Sequence, residues 1–483
     1  MVDLQTAPVP TVTRPARKRW YRRRPVHRFM VVTHRWTSLL LGIVLLAITT
    51  SGAFLLYAGE WRQWTNGDVY SATQSANPVS IADALAIVEK EKPDFDPAYV
   101  NLYDGMYEVT SFDDHHTPGM WVVDPGSGEI TGFVNEQHGF MGLMVNIHDC
   151  ALSCEGYAWY VPGLDNPVPW VTTHWDSLVD LTWGGLILAV FGLLLVYLVI
   201  TGAILWWPGL KKWAHGFRVR WSKSRYTRDY DLHQLVGLAA VPFLLMWGLT
   251  AASFEIPKID SAWYAVTGGH EFDESSYEFE ANKVPKGTED IGPQAAMDVI
   301  EERTGKEVVW MSQPGKEDAE TGYYDVWVAE SVDPYGEGPY PGNVGYYVDR
   351  HDPSHVQQNT FADSDTLSNE IWDNWRYGML HFGFAVNGWW RLIWFFFGMV
   401  PLLLAWTGVS TWLYKRGVSS RKRASIKARQ KRGERLEDVD DTPEADDPPE
   451  AGDPPEAGDP PPEGDGDTPT ASDGDEDALQ PVR

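Results

Sequence analysis

The sequence predicts an α-helical membrane protein: a four-helix transmembrane bundle, two extracytoplasmic α+β modules and a disordered acidic C-terminal tail. Three observations predict it. Four apolar runs, at about 37–57, 182–207, 235–254 and 392–414, are long enough to cross a bilayer. Lys and Arg crowd residues 1–33, 208–232 and the stretch after 415, while 59–180 and 256–390 are poor in them. Finally, a histidine followed by an apolar helix and a small-residue pair is written twice.

The repeat organises the chain. Its first copy is His34-Arg35-Trp36, an apolar run and Thr50-Ser51-Gly52; its second is His233-Gln234-Leu235-Val236-Gly237, an apolar run and Thr250-Ala251. His34 precedes Ser51 by the same separation as His233 precedes Thr250. Each copy puts an imidazole at the same end of a lipid-length helix, where an ionisable group is costly and points to function.

Charge patterning orients the spans, drawn as 34–58, 182–207, 233–255 and 391–415. Basic segments stay in the cytoplasm, so both termini and the 208–232 loop are cytoplasmic and the long loops 59–180 and 256–390 face out. The first run is too long for a signal-peptide core and no clean small-residue cleavage site follows, so it reads as an anchor. Mean hydropathy is only −0.30, so the polar parts are large. The 24 Trp and 21 Tyr suit interfacial belts. Residues 416–483 turn from basic to acidic, and 437–483 hold too little apolar surface to offset ordering entropy. That tail reads as solvated chain, with docking of a basic protein as the other reading.

Each outer loop reads as a helix followed by hairpins. Ser80 caps a helix over 80–92, followed by strands at 99–103, 107–112, 120–123 and 130–134. The second loop has a helix at 293–303 and strands at 308–312, 323–329 and 344–348. Two modules, 80–135 and 292–350, are therefore expected.

Several short motifs occur in a characteristic order: His34-Arg35-Trp36, Ile147-His148, Thr201-Gly202 with Leu205-Trp206-Trp207-Pro208, Leu232-His233, Leu380-His381-Phe382-Gly383 and Thr407-Gly408. In that order, over about residues 25–418, the chain resembles the PepSY-associated transmembrane helix proteins, which include bacterial iron-regulated membrane proteins and ferric-siderophore reductases. The resemblance implies PepSY-like outer modules, four helices, haem b and, in some members, reduction of iron(III) chelates. Two departures stand out: Thr250-Ala251 replaces Thr-Gly, and the segment after His148 is extended through Cys150 and Cys154 into a proline-rich loop.

A low-spin haem takes two axial imidazoles, and the topology sorts the candidates. His34 with His233 would hold an inner haem b and His148 with His381 an outer one, two in all. Each histidine alone reads rather as a helix-end cap or interfacial group; four at matched positions favour ligands. His138, His174 and His355 are outer reserves, and His27 reads as a headgroup contact beside its arginines. Asp113-Asp114-His115-His116 reads as a solvated turn or a metal site. His351 and His355 flank Pro353, which favours a loop; His215 and His270 carry no pattern. Gly184, Gly185, Gly192 and Gly398 permit close helix or macrocycle approach. Cys150 and Cys154, the only cysteines, lie outside and read as a local disulfide, or as a redox pair fed from His148.

The expected function is a haem oxidoreductase of the bacterial cytoplasmic membrane, passing electrons outward to a ferric siderophore or similar chelate. No dinucleotide fingerprint, phosphate loop or Ser-His-Asp arrangement is visible, so a cytoplasmic reductase or quinol must be the donor. Two alternatives stay open: a haem conduit to another acceptor, and a non-enzymatic membrane protein binding a peptide or protease. Membrane lipid is an expected partner, nucleic acid is not, and a homo-oligomer is possible.

Overall fold

Proline at a helix start loses nothing, because the first N–H groups have no helical acceptor. Pro25 opens α1 (Pro25–Leu55) in this way, well before His34. The computed structural model describes residues 25–111, 119–172, 181–207, 216–271, 279–316, 320–329, 343–359, 366–383 and 388–431. The chain divides into two units, Met1–Tyr414 and Lys415–Arg483. The acidic tail beyond 431 lies outside the described residues, as do Asp113, Asp114, His115, His116, His174 and His215.

After α1 come α2 (Ala58–Thr65), α3 (Ile81–Glu91), strands β1 (Pro97–Tyr103), β2 (Met106–Ser111), β3 (Met120–Val123) and β4 (Ile130–Val134). Then α4 (Gly139–His148), α5 (Pro169–Thr172), α6 (Trp183–Trp206), α7 (Arg225–Glu255), α8 (Lys258–Thr267) and α9 (Gly292–Thr304) follow. Strands β5 (Val308–Ser312), β6 (Tyr323–Ala329), β7 (Asn343–Asp349) and β8 (Val356–Asn359) precede α10 (Leu367–Asn369). Two π-helical segments, Glu370–Asn374 and Arg376–His381, lead to α11 (Gly388–Lys431).

Helices α1, α6, α7 and α11 are each long and apolar enough to cross a membrane, and the protein is multi-pass. α6 starts where Thr182 accepts from the Gly185 N–H at 3.1 Å. α7 starts earlier than its hydrophobicity suggests. Ser224 caps it, accepting from the Thr227 N–H at 3.3 Å, and Asp229 is buried against Ser410 at 2.6 Å. Polar side chains thus occupy its first turns without breaking it, so His34 and His233 sit within their helices instead of opening them. Small residues set the spacing: a Cβ on Gly192 would lie 2.9 Å from Ala252 N and Gly248 O, so α6 and α7 touch backbone to backbone. Gly398 of α11 fits against the Ala53 methyl of α1, which an added Cβ would approach to 2.8 Å.

The expected pair of modules is not separated into two bodies. Among the described residues eight strands form one antiparallel sheet, in the order β4-β3-β2-β1-β5-β6-β7-β8. The two halves join through β1 and β5, with Tyr99 opposite Ser312, Val100 opposite Met311 and Asn101 opposite Trp310. Joining them removes two open edges, each a row of unpaired N–H and C=O groups. Helices α3 and α9 share one core on one face: Ile81, Leu85 and Val88 with Met297, Ile300, Val100, Met311, Val326 and Val348. Each such side chain, fully buried, contributes about 1.5–3 kcal/mol. Ser80, in a capping box with Asp83, also bonds Gln294 at 2.8 Å and ties the two helices together.

The opposite face of the sheet carries Glu108, which meets α2. Arg62 of α2 donates to Glu108 Oε2 at 3.1 Å and pairs with Glu136 just before α4. Tyr70 donates to Glu108 Oε1 at 2.5 Å and Asn101 to Oε2 at 3.3 Å. The Arg62 guanidinium also lies 4.9 Å from the centre of the Tyr103 ring. Burial pushes the Glu108 carboxyl above the ordinary range while Arg62 opposes it. This network fixes the sheet to the end of α1 and to the segment that leads into α4.

Candidate functional site

Four histidines are held in one repeated way. Thr201 on α6 sits within hydrogen-bonding distance of His34, with Oγ1 2.9 Å from Nδ1. Thr407 on α11 lies 3.0 Å from His233 Nδ1, and the Leu404 carbonyl 3.1 Å from it. Thr250 on α7 lies 2.7 Å from His381 Nδ1. His148 Nδ1 meets the Ile48 carbonyl of α1 at 2.7 Å, three residues before Ser51.

A carbonyl can only accept, so Nδ1 donates at His148, to Ile48 O, and at His233, to Leu404 O. At His34 and His381 the threonine oxygen can accept from Nδ1 when the hydroxyl donates along its own helix, where Thr201 reaches Tyr197 O at 2.7 Å and Thr250 reaches Met246 O at 2.9 Å. A neutral ring that donates through Nδ1 keeps the Nε2 lone pair. That is the state a metal-binding histidine needs.

At three of the four seats the residue after the hydroxyl is a glycine close to the ring. A Cβ on Gly202 would stand 3.3 Å from His34 Cε1, and one on Gly408 3.5 Å from His233 Cε1. A Cβ on Gly52, after Ser51, would overlap the His148 ring. The fourth seat has Ala251, and there His381 packs edge-on to Phe254 with ring centres 5.1 Å apart. The Ser/Thr-Gly pairs are thus notches that receive an imidazole from another segment.

The seats bring the candidates together in pairs. The His148 and His381 rings have centroids 6.0 Å apart and planes at 42°. Rings at this separation could hold one metal group between them. His34 and His233 lie on α1 and α7, each turned toward a threonine of another span. Among the described residues no group of three or more His, Cys, Asp and Glu could hold a bare metal ion. A haem asks less of the protein, since the porphyrin supplies four of the six ligands.

Local structure holds the sheet-side pair in place. His148 ends α4, which packs on α1. The buried Asn146 accepts from the Cys154 N–H and donates to Ala158 O, both at 3.0 Å, folding the following loop back. Cys150 and Cys154 are joined by a disulfide in that loop. Gly184 of α6 fits against Ser153 and the Cys150 carbonyl, so it serves loop packing. His381 ends a π-helical segment, a geometry common at functional sites. The neighbouring Leu380 carbonyl takes two indole N–H groups, Trp247 at 3.1 Å and Trp394 at 2.9 Å.

The reserve histidines lie elsewhere. His27 and His138 are exposed. His355 faces Asp349 at 3.3 Å and stacks near Phe279, and His351 Nδ1 lies 2.9 Å from Glu289 O. His270 contacts Glu271 O at 3.2 Å. The sequence displayed the Thr-Gly pairs but not their role, because each seats a histidine from a distant segment.

Residues 31–415 match a family model described as the PepSY-associated TM region. No curated protein matches the chain.

Proposed function

The chain belongs to the PepSY-associated TM family, and on that premise we propose that it carries electrons across the membrane with two haems b, one held by His34 and His233, the other by His148 and His381. One observation carries this reading: four half-buried imidazoles each meet an oxygen of another segment through Nδ1, an arrangement that leaves Nε2 for a metal. The haem iron, when bound, supplies reversible one-electron chemistry. The protein's part is to orient and tune. Thr201, Thr250, Thr407 and the Ile48 carbonyl accept from the ligand rings, which fixes their rotation and raises their basicity. Gly52, Gly202 and Gly408 let the rings sit close to the helix backbones.

On the positive-inside rule, the His34–His233 end is the cytoplasmic side in this reading and the sheet lies outside. Electrons enter from a cytoplasmic reductase or quinol and leave at the sheet side. A ferric chelate such as a siderophore is the proposed acceptor, in line with the family resemblance and a bacterial inner-membrane setting. Protein purified from haem-replete cells is expected to show a dithionite-reducible Soret and α band, and a ferric siderophore to reoxidise it. A colourless preparation would remove the proposal; a band that the chelate leaves reduced would keep the conduit and remove this acceptor.

A second reading draws on the sheet. Its terminal strands, β4 and β8, each pair on one side only among the described residues. An extended peptide can add to such an edge. The same colourless preparation, together with saturable peptide binding, would favour this non-enzymatic role.

A further inference from the structure

The strand register gathers one unused set of side chains on the sheet face opposite α3 and α9. Residues directly opposite each other share a face. Across β1, β5, β6 and β7 one row reads Tyr99, Ser312, Asp325, Tyr347. The next row reads Asn101, Trp310, Trp327, Gly345. Tyr323 follows on β6. Asp325 is therefore ringed by aromatic side chains and lies in neither haem pair.

The carboxylate is poorly served there. Asp325 Oδ1 is buried and has no hydrogen-bond partner among the described residues. The Trp327 indole offers partial compensation, yet burial still pushes the carboxyl up to about 7. Tyr347 is pushed up to about 12, by burial first and then by Asp325 and Tyr323. The rings are arranged around it: Tyr99 and Trp310 have centroids 5.6 Å apart at 32°, and Tyr323 and Tyr347 4.7 Å apart at 64°. Gly345 lets the Trp327 indole lie over β7, where a Cβ would come within 2.6 Å of the ring. An isolated carboxylate is costly to bury unless an opposite charge answers it. Ring faces attract the same opposite charge.

We propose that this face binds the primary ammonium group of a small molecule, with Asp325 as its counter-ion and Trp310, Tyr99 and Tyr347 as its aromatic wall. The ammonium has three donors, enough for the Asp325 carboxylate and for Ser312 beside it. A neutral alcohol of the same length lacks the charge and has no comparable hold. The site goes beyond electron transfer and does not require haem, so its test uses neither colour nor turnover.

The test is calorimetric titration of the full-length, detergent-solubilised protein with n-butylammonium chloride, with n-butanol as the neutral control. Saturable heat is expected for the amine alone, weakened at least about 30-fold in Asp325→Asn and unchanged in the exposed control Glu302→Gln. Thermal melting of Asp325→Asn without ligand guards against misfolding, and an unchanged or raised midpoint is expected. No saturable heat, equal affinity in Asp325→Asn, or heat that butanol reproduces would overturn the proposal. So would a lowered midpoint, which would mean that the carboxylate already has a structural partner.

Discussion

His148 and His381 face each other with ring centroids 6.0 Å apart, although one closes α4 and the other a π-helical segment far along the chain. Each is anchored from behind by a different span: His148 by Ile48 of α1, His381 by Thr250 of α7. The pair therefore reports the relative position of two membrane helices. If both ligate one iron, His148→Ala and His381→Ala should each remove the same half of the haem absorbance, and the double variant no more. His34→Ala and His233→Ala should remove the other half. Pyridine haemochrome quantification of the four variants checks this; a shared loss between His34→Ala and His148→Ala would break the pairing.

Thr250→Val keeps the shape of the side chain and removes the acceptor for His381 Nδ1. An unpaired buried N–H costs about 1–3 kcal/mol. Loss of an outer-shell partner typically weakens metal binding 10–100-fold. Haem at the sheet-side pair should therefore be retained less tightly, and Thr250→Ser should restore it because the hydroxyl returns. Haem loss to apomyoglobin measures this, and equal retention in the valine and serine variants would remove the positioning role.

The glycine after a seat tests the same geometry by volume. In Gly52→Ala the new methyl overlaps the His148 ring, which must move. In Gly42→Ala, on the same helix, the new methyl meets nothing within 4 Å. The exchange at Gly42 should be neutral or stabilising by up to about 1 kcal/mol, the usual Gly-to-Ala gain in a helix. The exchange at Gly52 should instead disturb the spectrum of the sheet-side haem. Low-temperature EPR of the two variants, read at the ferric signals, distinguishes them.

What could be read beforehand follows physical range. Strands such as β3 (Met120–Val123) and β6 (Tyr323–Ala329) were legible because alternation and turns are local signals. β8 (Val356–Asn359) was missed because Gln357, Gln358 and Asn359 carry no apolar alternation. The joining of the two halves was not legible either, since Tyr99 and Ser312 pair across the whole of α6 and α7. The repeat singled out His34 and His233, and the places of His148 and His381 ahead of the second and fourth spans singled out the other two. The meaning of Thr201-Gly202 and Thr407-Gly408 was not, because a notch is recognised only with its occupant beside it.

Arg62 is the tie between sheet and bundle, and its removal should show in stability. Arg62→Met would leave Glu108 buried without its cation, while Glu136 loses the same partner. Breaking one side of a buried pair typically costs about 3–5 kcal/mol. Adding Glu108→Gln should recover part of that loss, because the remaining partner Tyr70 can donate equally to an amide oxygen. Thermal melts of both single variants and the double give the coupling; additive losses would mean that the ion pair is not the tie.

Asp325 predicts the direction of a pH effect. Its folded-state carboxyl is pushed up to about 7 by burial, against about 3.9 for an exposed aspartate. The folded protein thus holds the proton more tightly than the unfolded chain. Stability from this group is complete below about pH 4 and falls as pH rises toward 7, by up to about 4 kcal/mol. Asp325→Asn cannot ionise, so it should melt with the parent protein at pH 4 and above it at pH 8, in the absence of any amine. Butylammonium should close that gap at pH 8 by stabilising the parent alone. A gap that is absent at pH 8, or equally large at pH 4, would mean that the carboxylate is already compensated in the folded protein.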